Sequence, residues 1–165
     1  MFIDEKELIE FKIYYKKVGR HYIAFNEGDF QEIDIPSIEK LDADQKKRLT
    51  EEDKKKMTEE EKAKFKVVNI RARPLTWGLY NELQEEAVVK DNLGNRQWNY
   101  KRYKEVKLRR IIAEWDVKTT RESDGQTVTA PVSPNQIATL SPDVAEVILN
   151  TYDKIMIMDE AEEKK

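Results

Sequence analysis

The chain has 165 residues, 39% hydrophobic and 38% charged, with a net charge of only −3. That supports one modest core with an appendage, and the charge is interspersed instead of forming a single-sign tail. The absence of cysteine excludes disulfide frameworks, thiolate nucleophiles, iron–sulfur clusters and thiolate zinc sites, and the single histidine, His21, excludes a histidine metal triad or a Ser-His-Asp arrangement within one chain.

The opening "MFIDEKELIE" is acidic where a secretory leader is basic, and no apolar run approaches the ~18 residues of a membrane span. A cytoplasmic, unanchored protein is expected. In "IEFKIYYKKVGRHYIAF", Ile9, Phe11, Ile13 and Tyr15 alternate with Glu10, Lys12, Tyr14 and Lys16, which is the period of a strand with one buried face. The turn "KKVG" leads to a partner strand from Tyr22 to Phe25, with His21 as an ordinary strand residue. A lone hairpin is marginal in water, so "DFQEIDI", the later "FKVVNIRA" or a helix must cover its apolar face. Residues 1–36 are therefore expected to form a small β unit.

A charged connector is expected over 37–65. Leu41, Leu49, Met57 and Phe65 recur every eight residues, and an octad drifts by about 80° per repeat on a helix, so a continuous helix gives a spiral and no stripe. Asp42, Thr50 and Thr58 can each cap a new helical turn, with Asp53 and Glu61 three residues after the threonines in the capping-box position. A hydrated connector and a partner-binding element both fit this pattern, and neither is catalytic.

A mainly helical module is expected over 66–158. Thr76 can cap a helix bearing Trp77, Tyr80, Leu83 and Ala87 on one face, and the turn residues Asp91 to Asn95 follow. A second helix runs from about Tyr100 to Trp115, with Leu108, Ile111, Ile112 and Trp115 in core-facing spacing, so the two make an αα-hairpin. The polar stretch "TTRESDGQTVTAP" reads as a loop or hairpin tipped at Asp124-Gly125. Ser133-Pro134 and Ser141-Pro142 then start a short helix and a longer one carrying Val144, Val147, Ile148, Tyr152 and Ile155. The tail 159–165 lacks an apolar face and is expected to fray. Together these elements predict an α+β protein whose helical core holds Trp77, Leu83, Leu108, Ile112, Trp115, Val144 and Ile148.

Candidate chemistry is sparse. The five glycines are too scattered for a phosphate-binding loop or a dinucleotide fingerprint. The carboxylate runs Glu51-Glu52-Asp53, Glu59-Glu60-Glu61 and Glu85-Glu86 lie among lysines on solvated faces, where they keep ordinary acidity. No residue is assigned as catalytic, cofactor-binding or metal-binding. The net charge is −3 over 1–40, zero over 41–64, +5 over 65–115 and −5 over 116–165. Within the basic block, "RQWNYKRYKEVKLRR" interleaves cations with Trp98, Tyr100 and Tyr103. On a helical projection, however, Arg102 and Arg109 fall to one side of Leu108, Lys107 to the other and Arg110 to the back, so no groove-facing stripe forms and nucleic acid is disfavoured. Trp98, Tyr100 and Tyr103 lie off the Leu108–Trp115 stripe and are the candidate contacts for a protein partner.

From Ile70 onward the chain resembles the tail assembly chaperones of tailed bacteriophages. The resemblance rests on the order of "LTWGLYNELQEEA", "RIIAEWDV", the polar insert "KTTRESDGQT" and "VTAPVSPNQIATLSPDVAEVILNTYDKI", over about 90 of the 165 residues. It implies a small non-catalytic protein of the host cytoplasm, without cofactor or membrane contact. Such a helper holds the tape-measure or tail-tube protein until tail assembly and is absent from the finished virion. Self-association is left open by the sequence. The N-terminal hairpin and the octad connector have no counterpart in that pattern, which leaves a second expectation: a structural virion component, such as a baseplate, connector or tail protein, built on the same helical module.

Overall fold

Strand β1 (Ile9–Val18) forms as its alternation predicts, with Phe11 and Ile13 buried and Glu10 and Lys12 exposed. A two-residue turn leads to β2 (His21–Asn26), with Val18 opposite His21. Gly19 has φ +62°, which suits glycine at the first position of a type II′ turn. The computed structural model describes residues 1–32 and 59–163, with side chains through Ile157. Leu41, Leu49 and Met57, and the caps expected at Asp42, Thr50 and Thr58, lie outside the described residues.

The partner of the hairpin is β3 (Lys66–Ala72), which runs antiparallel to β1 from Ile9 opposite Ala72 to Tyr15 opposite Lys66. Strand β6 (Ile112–Trp115) adds to β3, completing a four-stranded antiparallel sheet in the order β2-β1-β3-β6. Two of the covers the sequence offered for the hairpin are present: "FKVVNIRA" pairs with β1, and the helix that starts at Pro142 packs against both hairpin strands. The boundaries expected at residues 36 and 66 therefore do not separate two cores. Phe11 and Ile13 share one apolar cluster with Val68, Ile70, Ile111, Ile112, Val144, Ile148 and Tyr152. Ile13 and Ile70 are fully buried, each contributing about 1.5–3 kcal/mol of transfer free energy.

Helix α1 (Glu27–Glu32) follows β2. After it come α2 (Trp77–Glu86), the hairpin β4 (Val88–Lys90) and β5 (Arg96–Trp98), and α3 (Tyr100–Ile111). Beyond β6 lie the hairpin β7 (Lys118–Thr120) and β8 (Thr127–Thr129), helix α4 (Pro134–Ala138), and α5 (Pro142–Glu163). The fold is α+β, as expected, but the module after residue 66 carries more strand than its sequence suggested.

Four expectations need correction. The helix expected to reach Trp115 stops at Ile111, and Ile112 is extended at φ −74°, ψ 115°. A bulge in the β3–β6 pairing sets Ile112 opposite Ala72, Glu114 opposite Arg71 and Trp115 opposite Ile70, so Ile112 and Trp115 point inward at the three-residue spacing that a helix also gives. Arg73 closes the helix end by donating from its backbone N to the Ile111 carbonyl and from its guanidinium to the Arg110 and Ile112 carbonyls. Trp77, expected in the core, is 76% exposed and stacks on Tyr80, because only the C-terminal half of α2, at Leu83 and Ala87, reaches the interior. The αα-hairpin is interrupted by β4–β5, although α2 and α3 still pack together. Finally, α5 remains helical to Glu163, in line with the helix propensity of Glu and Ala in the tail.

The other expected core residues, Leu83, Leu108, Ile112, Trp115, Val144 and Ile148, are buried. Two of the predicted caps form: Thr76 accepts from the Leu79 N–H at 3.1 Å and Ser133 from the Gln136 N–H at 3.3 Å. Trp115 donates its indole N–H to the Ala130 carbonyl at 2.7 Å, tying the β7–β8 hairpin to the sheet.

Candidate functional site

The junction between β5 and α3 brings the three expected contact residues together. Asn99 donates its backbone N–H to the Ala87 carbonyl at the end of α2, and its side chain caps α3 by accepting from the Arg102 N–H at 2.9 Å. Trp98, just before the cap, lies with its ring centroid 5.3 Å from that of Tyr103 and 6.1 Å from that of Tyr100. Trp98 is 47% exposed and Tyr100 61%, while Tyr103 is half-buried beneath them. The cluster thus presents two rings to solvent and uses the third as support.

Lysines of α3 fasten this cluster to α5. Lys104 donates to Glu146 at 2.5 Å and lies 5.0 Å from the Tyr100 ring centroid. The hydrogen bond to Glu146 holds the Lys104 ammonium above its ordinary pKa. Lys107 sits between the rings of Tyr103 and Tyr152, 5.4 and 5.7 Å from their centroids, and donates to Asp153 at 2.5 Å. Lys107 is only 6% exposed, so the charge that the projection spreads around α3 is not all in solvent. Its partner comes from a helix 46 residues away, which no projection of α3 alone includes. Tyr152 is fully buried and donates to the Arg73 carbonyl at 2.8 Å. Burial, followed by the charge of Asp153, raises its phenol well above the ordinary tyrosine value.

On the opposite face of the sheet a second aromatic group forms where the chain leaves α1 and returns through the helical residues 59–63. Tyr14 stacks on Phe30 at 4.1 Å, and Phe65 lies 5.1 Å from Phe30 and 6.0 Å from Phe25. Phe65, expected as the last apolar residue of the connector, is thus packed onto the β unit. Lys16 bonds Glu61 at 3.0 Å, and this contact, with that of Lys64, lowers the Glu61 pKa.

A third feature had no signal in the sequence. A cleft of about 280 Å³ opens between the sheet, the β7–β8 hairpin and the α4–α5 corner, with Val68, Trp115, Val144 and Ile148 as its apolar wall and Tyr15 and Gln136 among its polar groups. Burial raises the Tyr15 phenol, with Tyr22 and Asp116 adding to the shift. The residues that converge there come from six segments of the chain, so only the tertiary fold defines the site.

Among the described residues no group of three or more His, Asp or Glu side chains is placed to hold a metal ion, and no helix is long and apolar enough to cross a membrane. His21 is exposed at the start of β2, and Glu86 of the Glu85-Glu86 pair bonds Arg110 at 3.1 Å. Comparison with models of protein families, with curated proteins and with solved structures finds no match for this chain.

Proposed function

We propose that this chain is a non-catalytic tail assembly chaperone that binds a phage tape-measure or tail-tube protein in the host cytoplasm and keeps it soluble until the tail forms. The reading is supported by the ordered resemblance over residues 70–158 and by one structural observation above the rest. Trp98 and Tyr100 are held on a capped, hydrogen-bonded junction yet leave much of their ring surface in water. Large aromatics fixed in position and exposed are suited to covering apolar surface on a partner, because little side-chain freedom is lost on binding. Contacts of this kind exchange readily, so assembly can displace the chaperone.

Co-expression with phage tape-measure and tail-tube proteins tests the reading. A raised soluble yield of either partner is expected, together with absence of the chain from purified particles. Stoichiometric recovery of the chain in mature particles, with no effect on either partner's solubility, would replace the chaperone with a structural virion component.

A further inference from the structure

We propose that the β4–β5 hairpin is the recognition element of this surface and that its ligand is an acidic protein segment carrying a large apolar side chain. The inference rests on the chaperone reading for the location of the surface and adds the chemistry of what it takes. Pairing sets Val88 opposite Trp98 and Lys90 opposite Arg96, so these four side chains share one face of the hairpin. Directly opposed like charges destabilise a strand pair. Among the described residues neither Lys90 nor Arg96 has a carboxylate within ion-pair distance. Asp91, the neighbour of Lys90, instead turns its Oδ1 into the loop, accepting from the Leu93 and Asn95 N–H groups at 2.9 Å each.

The cations of α3 from Arg102 onward contrast with this pair. Lys104 is matched by Glu146, Lys107 by Asp153, Arg102 and Arg109 by Glu105, and Arg110 by Glu82 and Glu86. Among the described residues at this surface, the cations left without a carboxylate are therefore Lys90 and Arg96 on the hairpin and Lys101 in the first turn of α3, with the hairpin pair beside Val88 at 39% and Trp98 at 47% exposure. Along a strand the cation pair stands two residues, or about 7 Å, from the apolar pair. A carboxylate two residues from an apolar side chain in an extended ligand matches that spacing, as does one a helical turn away. Nucleic acid is the poorer ligand, since tracking a phosphate backbone takes many uncommitted cations and most here are internally paired.

The full chain should be titrated with short fluorescent peptides containing one Phe and one Leu among Asp and Glu, with the same peptides carrying Lys in place of each acid, and with a single-stranded oligonucleotide. The acidic peptide should bind, weaken as salt is raised, and bind at least about tenfold tighter than the basic one. Lys90→Glu converts the repelling pair into an attracting one, so it should raise the melting temperature while weakening the acidic peptide by about tenfold or more. Arg96→Gln should weaken it in the same direction and guards against a misfolded first variant. Equal binding of acidic and basic peptides, tighter binding of the oligonucleotide, or unchanged affinity in both variants would overturn the proposal. The two readings separate in the co-expression assay: if Trp98→Ala abolishes partner rescue while Lys90→Glu does not, the surface stands and its acidic ligand falls. If neither variant matters, the surface itself is wrong.

Discussion

Two aromatic clusters with lysines beside them lie on this molecule, and they differ in what covers them. On the outer sheet face Tyr14, Phe25, Phe30 and Phe65 pack on one another as half-buried rings, and the nearby Lys62 donates to the Gln31 carbonyl at 2.9 Å. At the start of α3 only Tyr103 is covered, and Trp98 and Tyr100 face solvent. Composition alone cannot distinguish the two, since each reads as aromatics among cations. Closure decides: the first cluster joins the two ends of an excursion of the chain, whereas the second leaves ring surface available to another molecule.

The sharpest way to break that comparison is at the closed cluster. Phe65→Ala removes a ring that touches both Phe25 and Phe30. A fully buried Phe→Ala change costs about 3–5 kcal/mol, and the partial exposure of Phe65 lowers the expected loss to roughly 2 kcal/mol, read by urea denaturation. A loss below about 0.5 kcal/mol would mean that the cluster does not hold the fold, and the contrast with Trp98 would disappear.

A smaller effect is expected where the open cluster meets the core. Tyr152→Phe leaves the Arg73 carbonyl without its 2.8 Å donor, which should cost about 1–2 kcal/mol near neutral pH. The pH dependence has a definite sign. Burial raises the phenol in the folded chain, so above the ordinary value of 10.0 the unfolded state loses the proton first and stability falls as pH rises. Denaturation curves taken below and above that value should diverge for the native chain and do so less for Tyr152→Phe, with the raised phenol of Tyr15 supplying the remainder. Equal alkaline loss in both chains would show that Tyr152 is not held protonated by burial.

These sites also show how far a sequence can be read. The alternation from Ile9 to Tyr15 and the caps at Thr76, Ser133 and Ser141 are local signals, and each marks the element it announces. The pairing of β1 with β3 joins segments separated by the whole connector, and periodicity within either strand does not name its partner. Ile112 and Trp115 were ambiguous because a bulged strand and a helix bury the same two positions. At the candidate site Trp98, Tyr100 and Tyr103 stand out in the sequence by lying off the Leu108–Trp115 stripe, and the fold brings their rings together. The burial of Lys107 and the opposition of Lys90 to Arg96 were not legible, since one depends on Asp153 of another helix and the other on the register of a hairpin.

The excursion between the two halves of the closed cluster allows a weaker test. The Lys62 ammonium reaches the Gln31 carbonyl, so the chain departs after Glu32 and returns at Glu59 close to the same point. Replacing residues 33–58 by a Gly/Ser linker of about eight residues should keep the sheet and change stability by about 1 kcal/mol or less, towards stabilisation, because closure entropy varies only with the logarithm of loop length. Unfolding of the shortened chain would show that the replaced residues contribute to the core.

The smallest stability effect is expected at the open cluster, and there the comparison becomes functional. Trp98→Ala and Tyr100→Ala remove rings that are 47% and 61% exposed, and surface changes of this kind fall within about 0.5 kcal/mol, with Trp98 at the upper end because it covers Tyr103. Tyr103→Ala should cost more, since that ring is half-buried and flanks Lys107. In the co-expression test of the proposed function, rescue of the partner should follow the reverse order, falling most for Trp98→Ala and Tyr100→Ala, whose surface faces outward. Should Tyr103→Ala alone reduce rescue, and only in proportion to its loss of stability, the exposed rings would carry no binding and the two clusters would differ in degree of burial alone.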